Sequence, residues 1–561
     1  MKTISNPILK GFNPDPSIIR VKDDYYIATS TFEWFPGVQI HHSKDLINWS
    51  LLTHPLNRVS QLDMKGVGDS CGVWAPCLTH VDDVFYLVYT NVKNFNGDWK
   101  DTPNFVVTAT DINGSWSEPT FINSSGFDPS IFHDDDGKSY FMSMIVDHRN
   151  SKFFGGIIIQ EIDRVTKKLI GKVHHIFSGS EHGLTEGPHI YKKNGYYYLL
   201  TAEGGTSYDH CVSLARSTSI FGPYDVHPNN PVITSKNTPS NYLQKTGHAD
   251  LVETQNGEWY MVFLTSRPLT EKGRCITGRE TGIEKVEWRE DNWLYLAPNT
   301  EGNKEGSIES NKEDKSQSEY ANNVARQYVE APALPEHAFQ PIPERISFDS
   351  PTIDKNFQSL RIPMTPDWVN QTDRQGYLRL YGRESLSSCF EQSMIARRVQ
   401  DHHTISSTCI EFSPENFQQM AGLVCYYNTT HYHYLFITGD EADAYSGKKF
   451  INIVSYDDNK STYPLNVPID VSTIDRIFLK ADFNGATIQF YYAIITELNI
   501  PKWIPIGPTL DGSILSDDYV VHNERGYSPC FTGAFIGLAC QDLSGQKLHA
   551  DFDYFNYQEN A

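Results

Sequence analysis

Residues 14–27 read Pro-Asp-Pro-Ser-Ile-Ile-Arg-Val-Lys-Asp-Asp-Tyr-Tyr-Ile, and the same pattern returns four more times in the first half of the chain. Each copy consists of a short motif that carries a proline or an acid, an apolar strand, a tight turn and an aromatic strand. The other copies begin at Trp74-Ala75-Pro76, Phe127-Asp128-Pro129, Glu186-Gly187-Pro188 and Gly247-His248-Ala249. Internal repetition of this kind is typical of architectures built from one supersecondary unit.

The length of the repeat indicates what this unit is. With residues 16, 76, 129, 188 and 249 taken as equivalent, the copies are 60, 53, 59 and 61 residues apart. A unit of that length holds about four strands, which is one blade of a β-propeller. Strong hairpin signals, whose residues tolerate positive φ, separate the two strands of three copies at Asp136-Gly137, Asn194-Gly195 and Asn256-Gly257. The sequence therefore predicts an all-β fold that begins with a five-bladed β-propeller over residues 1–297.

A second element recurs further along several units. His42-Ser43-Lys44-Asp45-Leu46 is followed by Trp49, Ala109-Thr110-Asp111 by Trp116, and Ala215-Arg216-Ser217 by Phe221. A strand-like run that ends in a polar turn and a nearby aromatic residue predicts the outer strand of a blade and its exit turn.

The composition changes after the fifth repeat. Residues 298–323 consist mainly of Asn, Lys, Glu, Ser and Gly. Such a segment buries too little apolar surface to offset its ordering entropy, which predicts a polar linker or inserted loop. Strand-like runs resume over 324–561, for example at 423–427 and 531–537, and Ala550–Phe555 alternates as a half-buried strand does. The second half is therefore predicted to be a β-sandwich domain.

Composition and charge argue against several classes of function. A formal net charge of -22 at pH 7 makes nucleic acid a poor partner, because phosphate binding needs a basic surface. The N-terminal residues lack the apolar run of a secretory signal and no stretch approaches the length of a membrane span, so no membrane partner is expected. The nine cysteines form no CxxC pair, which argues against a disulfide framework and a zinc site. We expect a cytoplasmic location.

Three acids occupy related positions in different repeats. Because the innermost strand of each blade lines the channel of a propeller, we expect Asp15, Asp128 and Glu186 to converge in space. A single Asp before a proline is an ordinary turn residue. Three carboxylates in one channel repel one another unless their protonation states differ, and this favours a catalytic role. Glycoside hydrolysis uses such a set, with one carboxyl as proton donor and another that activates water or attacks the sugar.

The residues beside these acids are ambiguous from sequence alone. Trp74 and Phe127 fit the wall of a sugar-binding channel, since flat aromatic faces suit the C–H faces of a sugar ring, but equally the core between blades. His248 fits a pocket residue or a buried structural histidine. Both interpretations stay open at this point.

The motifs resemble those of glycoside hydrolase family 43. Asn13–Ser17, Phe127–Ser130, Thr185–Pro188 and Gly278–Thr281 carry the resemblance, which extends over nearly the whole chain and is strongest to the two-domain β-xylosidases of that family. It implies an exo-acting hydrolase that inverts configuration in a single displacement. The implied reaction releases xylose from the non-reducing end of β-1,4-xylo-oligosaccharides.

The resemblance also implies roles for individual residues. Asp15 matches the general base, Glu186 the general acid, and Asp128 the third carboxylate, which orients the acid and tunes its pKa. An inverting pair is expected to be about 6.5–9.5 Å apart, which leaves room for a water molecule. The residues that match the sugar-binding walls and the closed end of the pocket are Phe32, Trp74, Phe127, His248, Arg279 and, from the second domain, Phe531.

Two features depart from the family pattern. The segment between Arg267 and Arg279 is shorter than expected, and residues 298–323 look like an insertion. No cofactor is expected; some members hold calcium near a channel histidine, but a required metal is not predicted here. The resemblance and the two all-β domains lead us to expect a homo-oligomer.

Several alternative functions stay open. An α-L-arabinofuranosidase is the nearest, because xylopyranose and arabinofuranose present similar outlines to one pocket. A fructan- or sucrose-cleaving propeller is disfavoured, because an Asn-Asp-Pro-Asn type of opening is absent. A non-catalytic sugar-binding propeller would bind xylobiose without turnover, and a protein-interaction scaffold would need no acids in its channel.

Overall fold

In a computed structural model of the chain, the described residues are 2–149, 153–298, 323–440, 447–494, 502–523, 526–527 and 530–559. Nearly all their regular structure is β, with a 3-10 turn at Gly512–Ile514 and one short helix at Asp517–Val520. The all-β prediction is confirmed. The predicted polar linker falls almost wholly on residues 299–322, which lie outside the described residues.

Five antiparallel sheets form the blades of a propeller, in chain order. Blade 1 contains Ser17–Val21, Asp24–Thr29, Gln39–Ser43 and Ser50–Thr53. Blade 2 contains Gly72–Val81, Val84–Val92, Asn104–Ala109 and Thr120–Asn123. Blade 3 contains Ser130–His133, Ser139–Val146, Phe154–Ile162 and Leu169–Phe177. Blade 4 contains Glu186–Lys193, Tyr196–Glu203, Cys211–Ser217, Asp225–Val226 and Ile233–Thr234. Blade 5 contains Gln244–Glu253, Trp259–Ser266, Glu280–Trp288 and Leu294–Leu296.

The turns between the first two strands of the blades have the geometry that their sequences predict. Asp82 and Asp83 have φ of 52° and 57°, and Asn194 and Gly195 have φ of 50° and 82°. Two successive residues at positive φ form the two-residue turn whose twist matches that of the flanking strands. Each repeat motif is therefore followed by a hairpin, as predicted.

The second recurring element of the sequence was assigned to the wrong strand. His42-Ser43, Ala109 and Ala215-Arg216-Ser217 end the third strand of their blades, and a further short strand lies outside each of them. These outermost strands cover few residues, for example only Ser50–Thr53 in blade 1. Because an outer strand packs little against neighbouring blades, it carries no recurring apolar pattern, and the sequence analysis overlooked it.

Blade 5 closes the ring against blade 1 through a buried carboxylate. Asp250 Oδ2 accepts hydrogen bonds from Ser17 Oγ at 3.0 Å and from Ile18 N at 2.8 Å, and Tyr191 from blade 4 donates to Oδ1. The N-terminal segment reinforces the closure, since Asn6 Nδ2 donates to the carbonyl of Ile283 at 2.8 Å. Asp250 thus connects the inner strands of three blades.

We expect Asp250→Asn to lower the free energy of unfolding by about 2 kcal/mol, because its amide cannot accept from all the donors that the carboxylate serves and leaves a buried donor unpaired. Urea unfolding followed by tryptophan fluorescence measures the change, with Asp225→Asn on an exposed outer strand as the control. Equal stability of the two variants would contradict the assignment of Asp250 as the closing group.

The second domain is a sandwich of two antiparallel sheets. One sheet contains Arg345–Ser347, Val369–Asn370, Leu378–Tyr381, His403–Glu411, Arg476–Asn484, Thr487–Ile494, Ile504–Asp511 and His549–Glu559. The other contains Gln358–Leu360, Met394–Arg398, Gln419–Asn428, His431–Gly439, Lys449–Asp457, Lys460–Thr462, Ile469–Asp470 and Phe535–Asp542. The propeller domain adds one further strand to this sheet, Trp34–Phe35. Two small pairs, Thr3–Ser5 with Tyr328–Glu330 and His522–Asn523 with Gly526–Tyr527, complete the strands. A buried apolar cluster that includes Leu423, Leu479 and Phe552 fills the space between the sheets.

The two domains share a β-sheet and a buried aromatic contact. Trp34 pairs with Leu360 across the sheet, and its indole stacks on the ring of Phe535 with centroids 3.7 Å apart. Gly278 has a φ of 70°, and a Cβ there would lie 2.4 Å from the carbonyl oxygen of Thr532, so a glycine is required. Residues 531–534 pack against this turn instead of continuing the predicted strand, which begins at Phe535.

The cysteines are unpaired. All nine are free thiols. Within the described part of the chain, no helix is both long and apolar enough to span a membrane.

Candidate active site

The five repeat motifs share an unusual backbone conformation at the mouth of the channel. The equivalent residues Asp15, Ala75, Asp128, Gly187 and His248 all have positive φ, at 52°, 24°, 53°, 57° and 45°. Strand pairing shifts register at this point in blades 2, 4 and 5. Positive φ in non-glycine residues costs about 1–3 kcal/mol each and is concentrated at functional sites.

This bulge explains how successive residues reach the same pocket. Side chains in a regular strand alternate between faces, but a bulge re-aims one of them. The residue before the positive-φ position supplies Trp74, Phe127 and Glu186, and the positive-φ position itself supplies Asp15, Asp128 and His248. Glu186 therefore stands one residue earlier in its repeat than the two aspartates do in theirs.

The pocket has a volume of about 390 Å³ and lies where the inner strands begin. It is lined by all nine residues that the sequence singled out, which are Asp15, Phe32, Trp74, Phe127, Asp128, Glu186, His248, Arg279 and Phe531. The structure thus brings together side chains from all five blades and from the sandwich domain. For Trp74, Phe127 and His248 it favours the pocket over a purely structural position.

Asp15 is held by two neighbours. Ser30 Oγ donates a hydrogen bond of 2.6 Å to Asp15 Oδ2, and His248 Nδ1 lies 3.6 Å from Oδ1. His248 Nδ1 also lies 4.0 Å from Asp128 Oδ2. Burial lowers the pKa of His248 despite the carboxylate beside it, so the imidazole is neutral at neutral pH. Asp15 lines the pocket.

Glu186 keeps its proton at neutral pH. Burial, followed by the negative charge of Asp15, raises its pKa to about 8, while the positive charge of Arg279 opposes this shift. A carboxyl with this pKa is mostly protonated at pH 7 and loses its proton as the pH rises through about 8. The pocket therefore presents a carboxylic acid beside Asp15.

Asp128 also resists ionisation. Burial raises its pKa well above the usual range, with additional contributions from the charges of Glu186 and Asp15, while a hydrogen bond from the Gly187 N–H lowers it. The negative charge that Glu186 would carry disfavours ionisation of Asp128, so the protonation states of these two carboxyls are coupled. Asp128 is placed to influence the proton on Glu186 through this coupling.

The sandwich domain completes the pocket with Phe531. Its ring centroid lies 5.3 Å from that of Trp74 and 5.7 Å from that of Phe32, and the guanidinium of Arg279 lies 4.6 Å from it. The Phe531 N–H donates a 3.0 Å hydrogen bond to Ser70 Oγ of the propeller. One wall of the pocket thus depends on the contact between the domains.

Arg279 is anchored by the sandwich domain as well. Its Nε lies 3.7 Å from Asp517 Oδ2, at the start of the short helix Asp517–Val520, and its Nη2 donates to the carbonyl of Thr206 at 3.5 Å. The adjacent Asp518 binds Lys245, whose Nζ lies 2.6 Å from Asp518 Oδ1 and 3.5 Å from Asp517 Oδ1. Sequence reasoning missed Asp517, because no motif relates this residue to the propeller.

We expect Asp517→Asn to raise KM for a sugar substrate by about tenfold, equivalent to about 1.4 kcal/mol of binding free energy, with kcat much less affected. The substitution removes the charge that holds Arg279 in the pocket and leaves a buried guanidinium without its counter-charge. Steady-state kinetics tests this prediction. Asp518→Asn is the matched control, because Asp518 pairs with Lys245 whereas Arg279 pairs with Asp517. A fall in kcat at unchanged KM would contradict a role in positioning Arg279.

Further lining residues come from loops that the repeat does not mark. Phe95, Phe153 and Lys100 lie at the pocket, with Lys100 Nζ 4.4 Å from the Phe95 ring centroid and 5.4 Å from that of Phe153. Thr206 lies on the opposite rim. These residues occupy connections between strands, whose sequences differ from blade to blade, so no sequence signal pointed to them.

A pocket with aromatic walls, one carboxyl that keeps its proton at neutral pH and further carboxyls beside it supplies what acid-assisted cleavage of a glycosidic bond requires. Fold and site together define a glycoside hydrolase of the β-propeller class. Residues 4–294 match the model of glycosyl hydrolases family 43, and residues 345–558 match that of the β-xylosidase C-terminal concanavalin A-like domain. The chain belongs to glycosyl hydrolase family 43.

Characterised relatives are similar over their full length. The chain is 48% identical to a β-xylosidase of Bacillus subtilis (strain 168), with 99% of each chain covered. It is 46% identical to xylosidase/arabinosidase 43B of Humicola insolens, over 100% of this chain and 98% of that protein. The crystal structure of a xylan β-1,4-xylosidase from Bacillus halodurans C-125 superposes with a TM-score of 0.91 at 48% identity, and covers 99% of this chain and 100% of its own.

Proposed function

We propose that this protein is an inverting, exo-acting β-xylosidase that releases xylose from the non-reducing end of β-1,4-xylo-oligosaccharides. The observation that carries the proposal is the protonated Glu186 beside Asp15 in a pocket with aromatic walls. The names of the Bacillus relatives support xylose as the sugar and β-1,4 as the linkage.

The proposed reaction is a single displacement. Glu186 donates its proton to the glycosidic oxygen as the bond from that oxygen to the anomeric carbon breaks. Asp15 accepts a proton from a water molecule whose oxygen forms the new bond to the anomeric carbon on the opposite face. The product is α-xylose, and the shortened sugar leaves as an alcohol. Each proton-transfer role contributes about 10²–10⁴-fold to the rate.

The remaining pocket residues position the sugar in this proposal. Asp128 tunes the proton affinity of Glu186, to which it is coupled electrostatically. His248 and Arg279 are polar groups at the inner end of the pocket, and Phe32, Trp74 and Phe127 offer faces for the sugar ring. Phe531 closes one side, so the pocket admits a chain end rather than a chain middle, which supports exo action.

The product pattern from xylotetraose tests exo action. We expect xylose and xylotriose to be the first products, with xylobiose appearing only later as xylotriose is degraded in turn. Substrate labelled at the reducing end reveals which end is shortened, and the label stays on the longer fragment. Immediate release of xylobiose would overturn the exo assignment and leave the hydrolase class intact.

A second activity, that of an α-L-arabinofuranosidase, is favoured by one of the relatives, which is named a xylosidase/arabinosidase. Turnover of 4-nitrophenyl β-xyloside compared with 4-nitrophenyl α-L-arabinofuranoside distinguishes the two. A higher kcat/KM on the arabinofuranoside would make arabinofuranose the main substrate. Binding of xylobiose without any turnover by folded protein would favour the non-catalytic alternative.

The pH dependence follows from the direction of the pKa shift on Glu186. Its protonated form is the active one, so kcat/KM on xylobiose falls by roughly tenfold per pH unit above a pKa of about 8. Arg279 lowers this pKa, so we expect Arg279→Met to move the alkaline limb to higher pH even though binding weakens. A pH profile measured from pH 5 to 10 for both proteins checks this. An alkaline limb that lies at the same pH in the variant, or at a lower pH, would contradict the prediction.

We also propose that hydrolysis needs no bound metal. In the described ranges, no group of three or more His, Cys, Asp or Glu side chains is placed to hold one, and the neutral His248 contacts two carboxyls that the mechanism itself uses. The homo-oligomer and the cytoplasmic location stay predictions. Light scattering after size exclusion tests the former, and cell fractionation tests the latter.

A further inference from the structure

A second cavity, of about 360 Å³, lies at the junction of the two domains. Its walls come from the N-terminal segment around Lys10, from blade 1, from residues 339–342 and from the sandwich strand Met394–Arg398. It shares no lining residue with the active-site pocket. Its size falls within the range of about 300–1,000 Å³ that is usual for small-molecule sites.

Two adjacent arginines line this cavity without a counter-charge. Arg397 and Arg398 are only 4% and 5% exposed, and neither forms an ion pair with a carboxylate of the described residues. Arg397 Nη2 donates to Gln400 Oε1 at 3.1 Å and its guanidinium lies 3.9 Å from the Tyr557 ring. Arg398 Nη1 donates to Gln358 Oε1 at 2.6 Å. Buried arginines are normally paired, because an uncompensated charge in the interior is costly.

The same two side chains also have unused hydrogen-bond donors. Arg397 Nε and Arg398 Nη2 are buried and have no hydrogen-bond partner within the described structure. Burial and the charge of Arg397 lower the pKa of Arg398 to about 9, which is the expected response of a guanidinium that lacks an anion nearby. Burial lowers the pKa of Arg397 as well, and Tyr557, Asp354 and Glu559 only partly oppose this shift; Glu559 is itself paired with Lys10.

Neutral polar groups around the arginines are unsatisfied as well. Gln39 Oε1 and His41 Nδ1, on the blade 1 strand Gln39–Ser43, are buried without partners, as is Asn13 Oδ1. Burial, followed by the charge of Arg398, lowers the pKa of His41 to about 3, so this ring adds no charge. Orphaned polar atoms are rare in folded proteins, and five of them occur on residues that line this one cavity.

We propose that the cavity is a binding site for a small oxyanion, a carboxylate or a phosphate, held by Arg397 and Arg398. The planar guanidinium binds such groups through paired hydrogen bonds. A neutral sugar could form hydrogen bonds there but would leave the positive charge uncompensated. Arg398 already donates from Nε to the carbonyl of Phe12 in the propeller and from Nη1 to Gln358 in the sandwich. The anion therefore stabilises the contact between the domains and takes no part in the hydrolytic step.

Thermal unfolding of the full-length protein in different anions tests the proposal. Sodium phosphate and sodium acetate are each titrated against sodium chloride at constant ionic strength and pH 7, for the wild type, Arg397→Met, Arg398→Met and the exposed control Arg289→Met. When the anion concentration reaches about a hundred times its Kd, we expect a saturable rise in Tm of about 2 °C or more in the wild type and the control. We expect none in the two cavity variants, and unchanged kcat on xylobiose in Arg397→Met.

The outcomes separate the possible ligands. A rise with phosphate alone assigns a phosphate site, and a rise with acetate alone assigns a carboxylate site. Equal rises in all four proteins would reflect exclusion of the salt from the protein surface and would overturn the proposal, as would the absence of a rise in the wild type. If Arg398→Met does not fold, Arg397→Met and Gln39→Leu carry the comparison.

Discussion

Replacing Glu186 by Gln is expected to lower kcat on xylobiose by about 10²–10⁴-fold. In the proposed mechanism, the departing sugar leaves as an alcohol and needs the proton of Glu186, which an amide cannot supply. The loss is expected to be much smaller on an aryl xyloside with a good leaving group, because a nitrophenolate departs without protonation. Glu181→Gln, an exposed glutamate in the loop before Glu186, serves as the control and should retain full activity.

The comparison of leaving groups makes this prediction specific. A purely structural role for Glu186 would reduce the turnover of both substrates to the same extent. The alkaline limb of the pH profile should also disappear in Glu186→Gln, because the group that titrates at about 8 is gone. An unchanged limb in the variant, or equal losses on both substrates, would remove Glu186 from the role of general acid.

Replacing Asp15 by Asn is expected to lower kcat by about 10²–10⁴-fold on both xylobiose and the aryl xyloside. Its role is to accept the proton of the attacking water, and this requirement does not depend on the leaving group. The carboxamide retains the size of the side chain, so the contacts with Ser30 and His248 are disturbed as little as possible. Asp23→Asn, in the exposed turn of the same blade, is the matched control.

Azide distinguishes a missing base from a damaged pocket. It is already an anion and needs no base, so it is expected to restore turnover of the aryl xyloside by Asp15→Asn and to form α-xylosyl azide. The new bond joins azide nitrogen to the anomeric carbon while the bond to the phenolic oxygen breaks. A β-azide product would indicate attack from the face that the leaving group occupied, and failure of azide together with loss of xylobiose binding would indicate a collapsed site.

The repeat made the propeller predictable from sequence, because residues at one structural position recur along the chain. The same logic located Asp15 and Asp128, and the family resemblance added Phe32, Arg279 and Phe531. All of them line the pocket. The sequence could not reveal that the motif adopts positive φ in every blade, which is the reason why Glu186 stands one residue out of step.

Residues that depend on how the domains meet were beyond the reach of sequence patterns. Asp517 contacts Arg279 only because a short helix of the sandwich lies against the propeller. Lys100 and Phe95 reach the pocket from the loop between the second and third strands of blade 2, whose sequence differs from those of the equivalent loops in the other blades. The third strands of the blades were taken for outer strands, because the outermost strands are too short and too little buried to show a pattern.

The anomeric form of the first xylose released from xylobiose tests the central claim most directly. Proton NMR of a fresh reaction, recorded before mutarotation, should show more α-xylose than the equilibrium mixture contains, because the non-reducing sugar is released as the α anomer while the reducing-end sugar is already an anomeric mixture. Asp15→Asn, Asp128→Asn and Glu186→Gln should each release xylose far more slowly. An initial excess of β-xylose over the equilibrium mixture would contradict the single displacement in which Glu186 is the acid and Asp15 the base.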